Sequence, residues 1–130
     1  MTKKDLQEYY WLQKNIQRLE DKLLELETQA AKMTSVISDE PRSGETKDKL
    51  SGIVAKIVEV QTRINEQLYR SYELAEKIEK AIETLPERER YLIRARYIDC
   101  KAWEKIAVDM HYSWKQTHRI HSEALKMLVG

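Results

Sequence analysis

The run Trp103-Glu-Lys-Ile106-Ala107-Val-Asp-Met110-His-Tyr112-Ser113-Trp-Lys-Gln116-Thr117-His-Arg-Ile120-His-Ser-Glu-Ala124-Leu125 decides how this chain folds. Ile106, Ala107 and Met110 fall on one face of a first short helix, with Ala107 small where two helices must cross closely. Ser113 predicts the start of a second helix. Its hydroxyl accepts from the third backbone amide while Gln116 reaches back, which makes Ser-x-x-Gln a capping box. Thr117, Ile120, Ala124 and Leu128 follow at helical spacing and are expected to point inward, leaving Trp114, Lys115, Gln116, His118, Arg119 and Ser122 outward. Two short amphipathic helices joined by a three-residue turn have the spacing of a helix-turn-helix, whose second helix enters the major groove of DNA. The reading helix is expected at 113–128.

Upstream, Thr84-Leu-Pro86-Glu87 punctuates a boundary, with Thr84 and Glu87 spaced as another capping box and proline tolerated in a first helical turn. The helix that follows carries Tyr91, Leu92, Ala95, Tyr97 and Ile98 on its apolar side and sets Arg88, Arg90, Arg94 and Arg96 mostly outward. Asp99-Cys-Lys-Ala breaks it. Residues 84–130 thus form an expected three-helix module of a size at which a core is marginal alone, so it is expected to lean on the helix before it.

Before that module lies a different pattern. Tyr9, Leu12, Ile16, Leu19, Leu23, Leu26, Ala30, Met33 and Ile37 repeat at alternating spacings of three and four, the seam of a left-handed coiled coil, with Lys, Glu, Gln and Asp between them. Such a helix runs roughly 55 Å at about 1.5 Å per residue. Turn residues collect in Ser38-Asp-Glu-Pro41-Arg-Ser-Gly44 and predict a loop over about 38–46. A second seam takes Leu50, Ile53, Ile57, Val60 and Ile64, then Leu68, Tyr72 or Ala75, Ile78 and Ile82. Between Ile64 and Ile78 the strict heptad slips, because Gln67 and Ser71 occupy positions where apolar residues belong. The short loop favours antiparallel return, so residues 1–83 read as a two-helix hairpin. Leu24, Val54 and Val58 lie off the seam and are available to a second chain.

Composition fits an all-α protein. Charged residues make up 35% of the 130, and three Gly with two Pro leave few places to turn, which favours long helices. The large rings are seven Tyr and three Trp with no Phe, so most carry a polar tip suited to half-buried surfaces. A single cysteine, Cys100, excludes an internal disulfide and any multi-cysteine zinc site, and reads as a half-buried turn residue. No apolar run reaches the length of a signal or membrane segment, so a cytoplasmic protein with no membrane partner is expected. The net charge of +1 hides an asymmetry. Residues 85–130 hold nine Lys and Arg against six Asp and Glu, whereas 1–45 hold seven against nine. Local charge governs affinity for phosphate, so the basic excess sits where duplex DNA is expected.

From Leu85 onward, Leu-Pro-Glu-Arg-Glu-Arg, Arg96-Tyr-Ile, Trp103-x-x-Ile-Ala-x-x-Met, Tyr112-Ser and Ala124-Leu-x-x-Leu resemble the module with which bacterial sigma factors read promoter DNA. With Ala31-Lys-Met-Thr, Asp39-Glu-Pro-Arg-Ser-Gly, Lys47-Asp-Lys-Leu, Val54-Ala-Lys-Ile-Val and Arg119-Ile-His-Ser-Glu-Ala-Leu added, most of the chain is similar to small phage and prophage proteins of Gram-positive bacteria, the RinA- and ArpU-type late transcriptional regulators. The resemblance implies a sequence-specific DNA-binding protein controlling phage late genes. The chain departs from the sigma pattern at three places. His111 stands where the turn usually has Gly, Ala102 where the first motif helix usually has a capping Ser or Thr (Asp99 is the nearest substitute), and Trp114-Lys-Gln116 where small polar residues are common.

Candidate base readers are Lys115, Gln116 and Arg119, since Arg pairs bidentately with guanine and Gln with adenine; the alternative for them is a solvated helix face. Trp114 either stacks on sugar or meets a thymine methyl, or packs against Tyr112 or the preceding helix. His118 and Ser122 complete the outward set, and Arg94, Arg96, Lys101, Lys105, Ser113 and Lys126 are candidates for phosphate. His118 and His121 lack the further ligands of a metal site, and no nucleophile motif or phosphate-cradling glycine loop is present, so neither a cofactor, nor a small-molecule substrate, nor catalysis is expected. A module of this modest charge binds weakly as one copy, which favours a homodimer. Contact with RNA polymerase is a further option. The rival reading is a coiled-coil interaction protein that binds polymerase or a repressor without reading DNA sequence.

Overall fold

The computed structural model describes residues 1–39 and 44–129, with the side chains at 36–39 and 46 outside the description. Helices account for nearly all of it: α1 (Lys3–Asp39), α2 (Gly44–Ile82), α3 (Glu87–Ile93), α4 (Trp103–Met110) and α5 (Trp114–Val129), with α3 running on into a π-helical turn over Arg94–Ile98. The protein is all-α, a two-helix hairpin and a helical module. The expected loop over 38–46 is shorter at its edges, because α1 reaches Asp39 and α2 begins at Gly44; Glu40 to Ser43 lie outside the described residues.

The chain divides into two compact units, Lys14–Tyr69 and Met1–Gln13 with Arg70–Gly130. In the first, Leu26, Val60 and Ile64 are buried, with Leu19, Leu23, Ile53, Ile57 and Leu68 packed against them. These are seam residues of both helices. Leu24, Val54 and Val58, off the seam, are exposed. The side chain of Ile37 is not among the described ones.

The second unit holds the larger core, in which Leu6, Ile78 and Ile82 from the two long helices join Leu85, Leu92, Ile93, Ala95, Tyr97, Ile106, Ile120 and Ala124. Each fully buried Leu or Ile contributes roughly 1.5–3 kcal/mol. The module therefore recruits the start of α1 and the end of α2 to reach a workable core. Leu6, fully buried, lies one turn before the seam read from the sequence. The expected heptad slip does not occur in the backbone: Gln67 and Leu74 are half-buried and Ser71 and Ile78 buried, so spacings of three and four continue from Ile64, whereas Tyr72 is exposed. Serine is small enough to occupy a seam position without displacing the partner helix.

Local ends depart from expectation in three ways. Thr84 does not cap α3; its hydroxyl donates back to Ala81 O at 3.0 Å, and α3 starts after Pro86 with no side-chain cap. Glu87 and Glu89 in the first turn face the positive end of the helix dipole instead. Arg90, expected outward, turns to the end of α2, where its Nη2 donates to Glu83 O (2.9 Å) and Leu85 O (3.0 Å). Those carbonyls lie just past the last turn of α2 and have no helical donor ahead of them, so a single guanidinium nitrogen closes the corner. Finally, Ala102 stands at the N-cap of α4 with no side-chain cap, so Asp99 does not substitute.

Candidate nucleic-acid interface

The turn between α4 and α5 is built by backbone geometry. His111 takes the left-handed conformation (φ 61°, ψ 35°), its N–H reaching Val108 O at 3.2 Å while the Tyr112 N–H reaches Ala107 O at 3.1 Å. This pair of bonds is the Schellman closure that glycine usually makes. Histidine adopts it at a steric cost of roughly 1–2 kcal/mol. Ser113 then starts α5 as its spacing predicts: the Gln116 N–H donates to Ser113 Oγ (3.1 Å) and the Ser113 N–H to Gln116 Oε1 (3.2 Å). Both halves of the capping box are present. Thr117, Ile120, His121 and Ala124 form the buried face of α5, against α3 and α4.

Opposite that face lies a cationic stripe. Lys115, Arg119, Ser122 and Lys126 are spaced i, i+4, i+7 and i+11 and are all exposed, so they fall within roughly 60° of one another on the helix surface. Among the described residues, the three cations of the stripe make no ion pair. Gln116 flanks them, with its amide oxygen committed to the cap.

The remaining candidates are engaged with protein. Arg94 grips Glu79 of α2 with both branches, Nε to Oε1 at 3.0 Å and Nη2 to Oε2 at 2.7 Å, and this bidentate bond holds the Glu79 carboxyl below its usual range. Lys101 and Lys105 share Asp109, at 3.5 and 3.2 Å, and the Lys105 bond leads in lowering the Asp109 carboxyl. Arg96 donates to Lys101 O at 3.0 Å and lies 4.7 Å above the Trp103 ring. The charges of Arg94, Lys101 and Lys105 are thus already compensated: Lys105 and Asp109 are an i,i+4 pair within α4, whereas Arg94 and Lys101 find their carboxylates on other elements, which the sequence alone concealed.

His118 was expected to face outward; it is half-buried. Its ring lies 4.2 Å from that of Trp103 and 3.9 Å from that of Trp114. Arg96, Trp103, His118 and Trp114 consequently form a continuous stack from the π-helical turn through α4 to α5. Trp114 packs on His118, a neighbour outside the expected pair of Tyr112 or the preceding helix, and at 59% exposure it still offers a surface. Burial, followed by the nearby Arg96 charge, lowers the His118 pKa and favours the neutral ring.

One turn further along, Tyr97 Oη and His121 Nε2 lie 2.6 Å apart in the core. Burial pushes the Tyr97 hydroxyl up to about 12 and His121 down to about 4, so both are neutral, and the tautomer of His121 sets which of them donates. His121 and His118 have ring centroids 6.5 Å apart, and among the described residues no group of three His, Cys, Asp or Glu is placed to hold a metal. Nor is any described helix long and apolar enough to cross a membrane.

In comparisons with known proteins, no family model, no curated protein and no solved structure matches this chain.

Proposed function

We propose that this protein reads duplex DNA with α5 in the major groove and regulates transcription. The observation that carries the reading is the stripe of Lys115, Arg119, Ser122 and Lys126, exposed opposite the buried face of α5 with its cations uncompensated. A helix whose start is fixed by a capping box and whose underside is packed presents such a stripe rigidly, and rigidity is what base readout requires. Arg119 and Lys115 are assigned to base edges, Lys126 and Ser113 to phosphate. Arg94, Lys101 and Lys105 act chiefly in holding the module together. The likeness of the sequence motifs to phage late regulators supports a place in late-gene control.

A second copy would supply the affinity that three free cations lack, and exposed Leu24, Val54 and Val58 support such a homodimer. Selection from a random duplex library at physiological salt tests the proposal. A recovered motif that Arg119→Ala no longer binds supports it. Recovery of no motif, together with salt-insensitive capture of RNA polymerase or a repressor, supports the adaptor reading in its place.

A further inference from the structure

The face of α5 that carries His118 and Ser122 borders a cavity of about 440 Å³, closed by the first turns of α1 and by Arg96, Tyr97 and Trp103. That volume is within the roughly 300–1,000 Å³ of small-molecule sites. Every residue around it belongs to the same compact unit. Its walls combine two features. Tyr10, Trp11, Tyr97, Trp103, His118 and His121 supply six rings, and the charged residues are Lys3 and Arg96, with no carboxylate among them. A second cavity of about 340 Å³, between Arg18, Lys22 and Arg63, has no ring in its lining.

One atom in the wall is unexplained by the fold. His118 Nε2 is buried and has no hydrogen-bond partner, although buried polar atoms nearly always have one. The stack of Trp103 and Trp114 holds the imidazole from both sides, so the ring does not swing out to find water. Lys3 makes no ion pair among the described residues. Trp11, edge-on to Tyr10 at 5.0 Å, is 60% exposed and presents a free face.

We propose that this cavity binds a small planar aromatic anion, its ring on Trp11 and its negative group between Lys3 and Arg96, beside the ring of His118. Aromatic faces favour stacking, and two cations with no carboxylate beside them in the lining favour one negative charge. A cationic ligand meets Lys3 and Arg96 with no carboxylate among the lining residues to compensate it. The site requires no duplex, so its failure would leave the α5 stripe untouched.

The test uses the full chain, with binding followed by the ring resonances of His118 in nuclear magnetic resonance. The probes are 1-naphthoate, 1-naphthylmethylamine with the same ring and opposite charge, and acetate with the charge and no ring. Saturable shifts with 1-naphthoate in the low millimolar range, at least about tenfold weaker for the amine and for acetate, are expected; tenfold corresponds to about 1.4 kcal/mol. Trp11→Ala and Lys3→Gln replace exposed side chains and should each weaken 1-naphthoate about tenfold at unchanged helical content. Absence of saturation by 1-naphthoate, equal affinity for the amine, or unchanged affinity in both variants overturns the proposal.

Discussion

Tyr97 Oη and His121 Nε2 meet at 2.6 Å inside the core, joining the π-helical turn to the middle of α5. The imidazole is neutral there, with a pKa near 4 against about 6.5 in the unfolded chain. Because the folded value is depressed, the stability this neutral ring permits is complete above about 6.5 and declines as pH falls towards 4. Denaturant melts between those values should lose about 1.4 kcal/mol per pH unit from this group once the unfolded histidine is protonated. His121→Phe should flatten that part of the profile. At the alkaline end Tyr97 behaves oppositely: its folded value is raised to about 12, so stability is held below about 10 and lost above it.

Arg94 and Glu79 join the π-helical turn to α2 through a bidentate bond, both side chains being 38% exposed. Screening by water limits the pair to about 1 kcal/mol. A double-mutant cycle with Arg94→Ala and Glu79→Ala should return a coupling of that size. Near-additive losses would show the pair to be indifferent.

DNA affinity should respond to the stripe in a graded manner. Removing one phosphate contact lowers the slope of log K against log salt by about 0.9, whereas removing a base contact relaxes sequence preference by about 1–3 kcal/mol. Lys126→Ala is expected to show the first behaviour and Arg119→Ala the second, in competition titrations over a salt series. Arg94→Ala should change the slope least.

His111 occupies the left-handed region with φ 61°. His111→Gly should raise stability by about 1 kcal/mol, since glycine adopts that conformation without a Cβ clash. His111→Val should lower it by more. Thermal melts of the two variants should therefore move in opposite directions.

Ile106 and Ile120 are fully or almost fully buried where α4 and α5 join the core. Truncation of either to Ala should cost about 2–5 kcal/mol, by lost burial and the cavity left behind. Calorimetry would read this as a large fall in the melting temperature.

Periodicity made the helices legible, because burial of Leu26, Val60, Ile64, Ile106, Ile120 and Ala124 follows from spacing alone. The Ser113–Gln116 cap was legible for the same reason: its chemistry is local. Thr84 offered an equally good local pattern and failed, since Arg90 and the end of α2 define that corner from a distance. The same limit applies to the candidate interface. Whether a surface arginine is free depends on its neighbours in space, and nothing near Arg94 in sequence announces Glu79 fifteen residues away. The cavity beside His118 was likewise hidden, because Lys3 and Trp11 sit in a stretch whose pattern speaks only of a coiled coil.

The wide turn over Arg94–Ile98 is a matter of phase. Its hydrogen bonds skip one residue more than an α-helix allows, as Asp99 N to Arg94 O at 2.9 Å shows. Loss of a single codon within it would restore ordinary winding with little change of direction, because five residues wound this widely turn through about the same angle as four in an α-helix. The extra residue is thus stored within the turn, and α4 and α5 keep nearly the aim they would have without it.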